Sequence, residues 1–92
     1  MAVMMISELE GAGPEVLDDL REQGVFAKMK SAPGFLGHWS GTTDKGVCAI
    51  EMWESPEAHQ AWFESTIKPI LPPGADAAGY SYVHVLNQLQ PS

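Results

Sequence analysis

Hydrophobic and polar positions along this chain alternate between two periods, one of strands and one of helices. Ala2–Leu9 (AVMMISEL) is a short apolar run with polar residues only near its end, the pattern of a central strand. Gly11-Ala-Gly-Pro14 breaks the run. Pro14 then opens a helical segment whose early acids, Glu15, Asp18 and Asp19, suit a helix N-terminus. Apolar residues in this segment fall out of phase. On a helical wheel Val16, Leu17 and Leu20 point one way, and Val25, Phe26 and Met29 point nearly the opposite way. One continuous helix cannot bury both sets on one sheet, and Gly24 lies at the join. A kink or stop is therefore predicted at Gly24, followed by a second short helical stretch.

Ser31-Ala-Pro-Gly34 reads as a turn, Phe35–Thr42 (FLGHWSGT) as a second strand, and Asp44-Lys-Gly46 as a hairpin into a third strand, Val47–Trp53. That strand runs almost directly into a helix: Ser55 is a strong N-cap candidate and Pro56 suits the first helical position. The helix is expected to run to about Lys68, where Pro69 weakens it. Pro72-Pro-Gly74 and Ala77-Ala-Gly79 form a loose connection, and Tyr80–Leu89 (YSYVHVLNQL) is the last strand.

The order β-α-β-β-α-β is the split βαβ arrangement of ferredoxin-like α+β folds, with both helices on one face of one sheet. On the third and last strands, Cys48/Ile50/Met52 and Ser81/Val83/Val85 lie opposite Glu51/Trp53 and Tyr82/His84. Both sheet faces thus read as at least partly buried, yet two helices cover only one. A second copy covering the bare face, and so a homodimer, is the expectation.

Composition narrows the partners. Ninety-two residues, 45% of them hydrophobic, suit one small domain over 1–92, whose modest core favours self-association. A net charge of −7 argues against nucleic acid or an anionic membrane as partner. The single cysteine, Cys48, has no internal partner for a disulfide and reads as a small buried residue. No basic residue precedes Arg21 and no apolar run approaches the length of a membrane span, so neither a signal peptide nor a span is expected and a cytoplasmic location is the default.

Three groups with chemistry meet at the strand-to-helix corner: Glu51 and Trp53 on one strand face, and His59 one turn into the helix. If that face meets the helices, Glu51 is a carboxylate beside an apolar pocket, where burial raises its proton affinity toward a useful range. The competing reading is a structural carboxylate hydrogen-bonded inside the assembly. His59 titrates near neutral pH and, near a helix start, is disfavoured as a cation, which suits a neutral base; it is expected to matter for activity and little for folding. His38 and His84 alternate with aromatics on their strands. No His, Asp and Glu fall at metal-ligand spacing, so no metal is expected. Trp39, Tyr80 and Tyr82 either line an aromatic pocket or pack across strands.

PGF-x-G-H at Pro33–His38, then a hairpin, then a strand ending Trp53-Glu-Ser55 and a helix opening Pro56-Glu-Ala58, resembles the dimeric α/β-barrel superfamily, and within it the antibiotic biosynthesis monooxygenase type. The resemblance covers nearly the whole chain in element order. It implies a dimer whose sheets form a shared barrel, with a small-molecule pocket in each subunit between sheet and helices. Family members include cofactor-free oxygenases of aromatic polyketides, heme-degrading oxygenases, polyketide cyclases and isomerases.

Polyketide anthrone oxygenases of this family use the strand-end Trp, an Asn four residues before it and a Tyr six residues after it; here these are Trp53, Ala49 and His59. Their pocket Arg has no match in the Pro72-Pro-Gly74 region. The heme-degrading branch has a Trp nine residues after the strand-end Trp, and Trp62 fits. Its His ten residues further on is replaced by Pro72, and Met4-Met-Ile-Ser7 lacks its first-strand Asn.

The resemblance implies a cofactor-free monooxygenase acting on a small aromatic, polyketide-like molecule, with a cyclase or isomerase of the same fold as an alternative. His59, Glu51 and Trp53 would be catalytic, and Trp62, Phe63, Trp39, His38, Tyr82 and His84 would bind substrate. Deprotonating a phenol or activated methylene makes an electron-rich anion that reacts with dioxygen, cyclises or loses water, so monooxygenase, cyclase and isomerase share one acid/base pair. A heme-degrading oxygenase and a non-catalytic dimeric binding module are the alternatives.

Overall fold

A computed structural model describes residues 2–70 and 79–91. Its elements are β1 (Val3–Glu10), α1 (Glu15–Glu22), α2 (Val25–Lys30), β2 (Phe35–Thr42), β3 (Gly46–Trp53), α3 (Pro56–Trp62) and β4 (Tyr80–His84). All strand pairs are antiparallel, in the order β2-β3-β1-β4. This is the ferredoxin-like βαββαβ arrangement, with its first helix broken in two. The expected connection through Pro72-Pro-Gly74 and Ala77-Ala lies outside the described residues.

The break falls at Gly24, whose φ of 77° is left-handed backbone that glycine adopts at little cost. It resets the helical phase. Val25 and Met29 are buried from α2, while Leu20 of α1 packs against the same core, so the two apolar sets reach one sheet face. That core is Val3, Met5, Val25, Met29, Trp53 and Trp62.

Ser55 caps α3 as its residue type predicts, its hydroxyl accepting from the Ala58 N–H at 3.2 Å, with Pro56 in the first turn. The α-helix ends earlier than expected. Beyond Trp62 the backbone widens into a π-turn at Phe63–Ile67 and then tightens into a 3-10 turn at Lys68–Ile70. Pro69 has no N–H to donate and crowds the carbonyl four residues back, so the regular ladder cannot continue. Ser65 Oγ also donates to the Trp62 carbonyl at 3.3 Å, a back-bond that loosens the same turn.

Strand β4 stops at His84, short of the expected Leu89. His84 pairs with Val3, the first residue of β1, and the Val85 N–H makes one further bond to the Ala2 carbonyl. No further pairing follows among the described residues, and Leu86 and Leu89 are almost fully exposed.

A bulge decides which β2 side chains face the helices. Phe35 pairs with Trp53 and Gly37 with Met52, so one extra residue separates them. The bulge turns His38 and Ser40 to the helix side and sends Trp39 to the other face. Gly37 accommodates this, because a Cβ there would lie 2.8 Å from the Trp39 ring. That other face carries Met4, Ile6, Cys48, Ile50 and Met52, together with Trp39 at 57% exposure and Val83 at 49%. It is apolar, and among the described residues no helix lies over it.

Candidate active site

The odd-numbered side chains of β3 face the helices, which places Ala49, Glu51 and Trp53 in a row beneath them. Trp53 is fully buried and Glu51 is 5% exposed. A carboxyl group in that position needs hydrogen-bond donors, and two neighbours supply them. The Trp53 indole N–H donates to Glu51 Oε1 at 2.9 Å, and His38 Nδ1 lies 2.9 Å from Oε2. His38 stands directly across the ladder from Glu51 and packs against the Phe26 ring, with centroids 5.2 Å apart. Its other ring nitrogen, Nε2, is buried without a hydrogen-bond partner.

His59 sits on α3 at 2% exposure, enclosed by aromatic rings. Tyr80 meets it edge-on at 4.8 Å, Tyr82 at 5.5 Å and Trp53 at 5.7 Å, and Phe63 lies one helical turn on at 6.1 Å. His59 Nδ1 is 2.7 Å from the Tyr82 hydroxyl. Burial lowers the His59 pKa, and the nearby Glu51 charge opposes that shift in part. The expected direction holds, but its first cause is desolvation rather than the helix dipole. Burial, with Tyr80 close by, pushes the Tyr82 phenol up to about 12.

Between the sheet and the helices lies a cavity of about 190 Å³. His38, Glu51, His59, Trp62 and Phe63 of the sequence candidates line it, and so does Tyr80. Trp53 lies behind Glu51 and anchors it, and Tyr82 reaches the cavity only through His59. Trp39 is on the opposite sheet face and His84 is exposed at the end of β4, so neither joins the lining.

The sequence reading missed two parts of this site. Val16, Leu17 and Leu20 of α1, with Phe26 of α2, form the roof; their wheel phase was visible but not the sheet face they cover. The His38–Glu51 pair was legible in the hairpin. Thr42 pairs with Val47, and equal steps outward along both strands bring His38 opposite Glu51.

An apolar chamber with an unpartnered imidazole nitrogen and a carboxyl group in its wall can hold a flat aromatic molecule and exchange a proton with it. Among the described residues, no group of three or more His, Cys, Asp or Glu side chains is placed to hold a metal ion. Nor is any helix of those residues long and apolar enough to cross a membrane.

No protein-family model and no curated protein matches this sequence. Solved structures do. A heme-degrading protein from Mycobacterium tuberculosis, in heme-free form, is similar at 26% identity over 98% of this chain and 100% of that one, with a TM-score of 0.69. A monooxygenase from Streptomyces coelicolor, in complex with nanaomycin D, is similar at 19% identity over 99% and 92%, with a TM-score of 0.62. A variant of MhuD with two manganese protoporphyrin IX molecules per active site is similar at 21% identity over 99% and 100%, with a TM-score of 0.64. Together with the βαββαβ topology, these likenesses identify the fold of this chain as that of the antibiotic biosynthesis monooxygenase-like branch of the dimeric α/β-barrel superfamily.

Proposed function

We propose that this chain is an oxygenase that binds a flat aromatic molecule in the cavity between sheet and helices, with a heme-type tetrapyrrole ranked ahead of an aromatic polyketide. The observation that carries the reading is the lining: apolar and aromatic walls with His38, Glu51, His59 and Tyr80 as the ionisable groups among them. The heme reading draws support from the likeness to heme-degrading proteins over nearly the full length, and from Trp62 in the cavity wall. It also draws support from His38 Nε2, a buried imidazole nitrogen free to meet an iron centre. In that reading the tetrapyrrole is the substrate, and its own iron activates oxygen.

A tetrapyrrole needs more room than the cavity now offers, since ligand pockets run to about 300–1,000 Å³. Helix α1 has no buried side chain and so shifts outward at low cost. The polyketide reading is favoured by the cavity as it stands, about 190 Å³, which suits a smaller ring system. There a base in the wall removes a proton from a phenol or activated methylene, and the resulting anion reacts with dioxygen.

The bare sheet face with Trp39 and Val83 exposed supports a second copy packed against it, giving the shared barrel of a homodimer. The cavity lies on the opposite face of the sheet.

Titration of the protein with hemin, followed by the Soret band and tryptophan fluorescence, tests the ranking. A saturating shift at one or two equivalents supports the tetrapyrrole. No shift with hemin, but quenching and oxygen uptake with anthrone, supports the polyketide-type reading. Response to neither contradicts the oxygenase proposal.

A further inference from the structure

Glu51 is held from both sides, and one of its partners is left with an atom to spare. The Trp53 indole nitrogen is a donor only, so Glu51 Oε1 accepts from it at 2.9 Å. Oε2 lies 2.9 Å from His38 Nδ1. Imidazole is a stronger base than a carboxylate, so the shared hydrogen resides on Nδ1. His38 Nε2 therefore keeps a lone pair, buried and without a hydrogen-bond partner. A buried acceptor left unpaired is costly, and a metal is a partner that a neutral imidazole nitrogen takes readily. A histidine whose other nitrogen donates to a carboxylate is the usual form of a protein ligand to a metal.

Among the described residues no three His, Cys, Asp or Glu side chains are grouped to bind a bare ion. A metal that meets His38 must bring its other ligands with it, as an iron tetrapyrrole does, needing only an axial ligand from the protein. The chain has three histidines. His84 is exposed at the end of β4 and does not line the cavity. His59 lines it, but its Nδ1 contacts the Tyr82 hydroxyl at 2.7 Å rather than a carboxylate, and burial lowers its pKa. Only His38 has a carboxylate hydrogen-bonded behind it.

We propose that His38, through Nε2, is the axial ligand of the iron in a bound tetrapyrrole, with Glu51 and Trp53 as positioning residues acting through it. The assignment rests on the tetrapyrrole reading of the cavity. Glu51 keeps the ring hydrogen on Nδ1, leaves Nε2 free and, as a hydrogen-bonded anion, strengthens the donation of the ring to iron. The Trp53 N–H holds the other carboxyl oxygen, so that Oε2 stays turned to His38. Phe26, whose ring lies 5.2 Å from that of His38, covers it from the cavity roof and turns aside as the macrocycle enters. The imidazole thus comes from strand β2 and not from position 72, which is proline in this chain.

The test compares hemin with protoporphyrin IX, which has the same ring and no iron. By tryptophan quenching the parent is expected to bind hemin about 100-fold more tightly than protoporphyrin. His38→Ala lowers hemin affinity to that of protoporphyrin, leaves protoporphyrin binding unchanged, and regains the Soret band of the parent when imidazole is added. Glu51→Gln keeps the ligand but loses its charged partner. It is expected to weaken hemin binding about tenfold and to raise the midpoint potential of the iron, because an uncharged amide supports ferric iron less well. A merely structural role for Glu51 would lower the melting temperature and leave the potential where it was, and that result overturns the positioning role.

Resonance Raman scattering from the ferrous parent complex should show an iron–imidazole stretch, a readout that needs no variant to fold. Absence of that band, or equal affinity for the two rings, overturns the proposal and leaves the tetrapyrrole site standing. A band that survives in His38→Ala places the iron on His59 and likewise overturns it. A parent that binds neither ring overturns the tetrapyrrole reading itself, and the proposal with it.

Discussion

His38 and Glu51 face each other across the β2–β3 ladder, with Nδ1 2.9 Å from Oε2, and the other carboxyl oxygen is taken by the Trp53 indole N–H. The three side chains form one buried chain of polar groups from the floor of the core to the cavity wall. Every hydrogen bond in it passes through Glu51.

Glu51→Ala therefore leaves two buried donors without acceptors. Each unsatisfied group costs about 1–3 kcal/mol, so a loss of about 2–6 kcal/mol is expected in denaturant unfolding. Glu51→Gln retains the shape and one acceptor and is expected to lose about 1 kcal/mol. Equal stability of Glu51→Ala and the parent would contradict the relay.

His59→Ala is expected to destabilise the fold by about 2–4 kcal/mol, because it empties a fully enclosed site between Trp53, Tyr80 and Phe63. This replaces the expectation that His59 matters little for folding. Thermal melts of the two proteins at equal concentration check it, and coincident melts would show the site to be open to solvent.

Burial also makes stability depend on pH through His59. Its folded pKa lies below the ordinary 6.5, so the unfolded chain takes up a proton that the folded chain resists. The contribution is fully present above about pH 6.5 and is lost as pH falls toward the depressed folded value. Denaturant midpoints from pH 7.5 down to 5 should fall more steeply for the parent than for His59→Gln. Superimposed profiles would contradict a lowered pKa.

Much of the fold was legible before any coordinates, and the misses have specific causes. β2 occupies its expected span, and the break at Gly24 followed from two apolar sets half a turn apart. Strand β4 was read too long because its apolar pattern continues past His84, which pairs with the first residue of β1, and a pattern cannot show where ladder pairing stops. Trp39 and His38 were both assigned to the pocket, although neighbours on a regular strand face opposite sides. The bulge between Phe35 and Gly37 decided for His38, and it depends on tertiary pairing. The burial of His59 was hidden for the same reason, since it arises from how α3 docks on Tyr80 and Tyr82.

The uncovered sheet face predicts association. The chain should sediment as a dimer at micromolar concentration, and Trp39→Glu with Val83→Lys should yield a monomer, since both side chains are exposed on that face. A parent protein that sediments as a monomer would contradict a second copy on this face.

The most direct measurement of the central claim is a shift-mapping titration of isotope-labelled protein with zinc protoporphyrin, which is diamagnetic, and with para-nitrophenol. At least one of them is expected to perturb the Trp62 indole, His38, Ala49 and Phe63 together, all on the cavity side of the sheet. Perturbations confined to Trp39, Ile50 and Val83 on the opposite face, or no saturable perturbation with either, would contradict it.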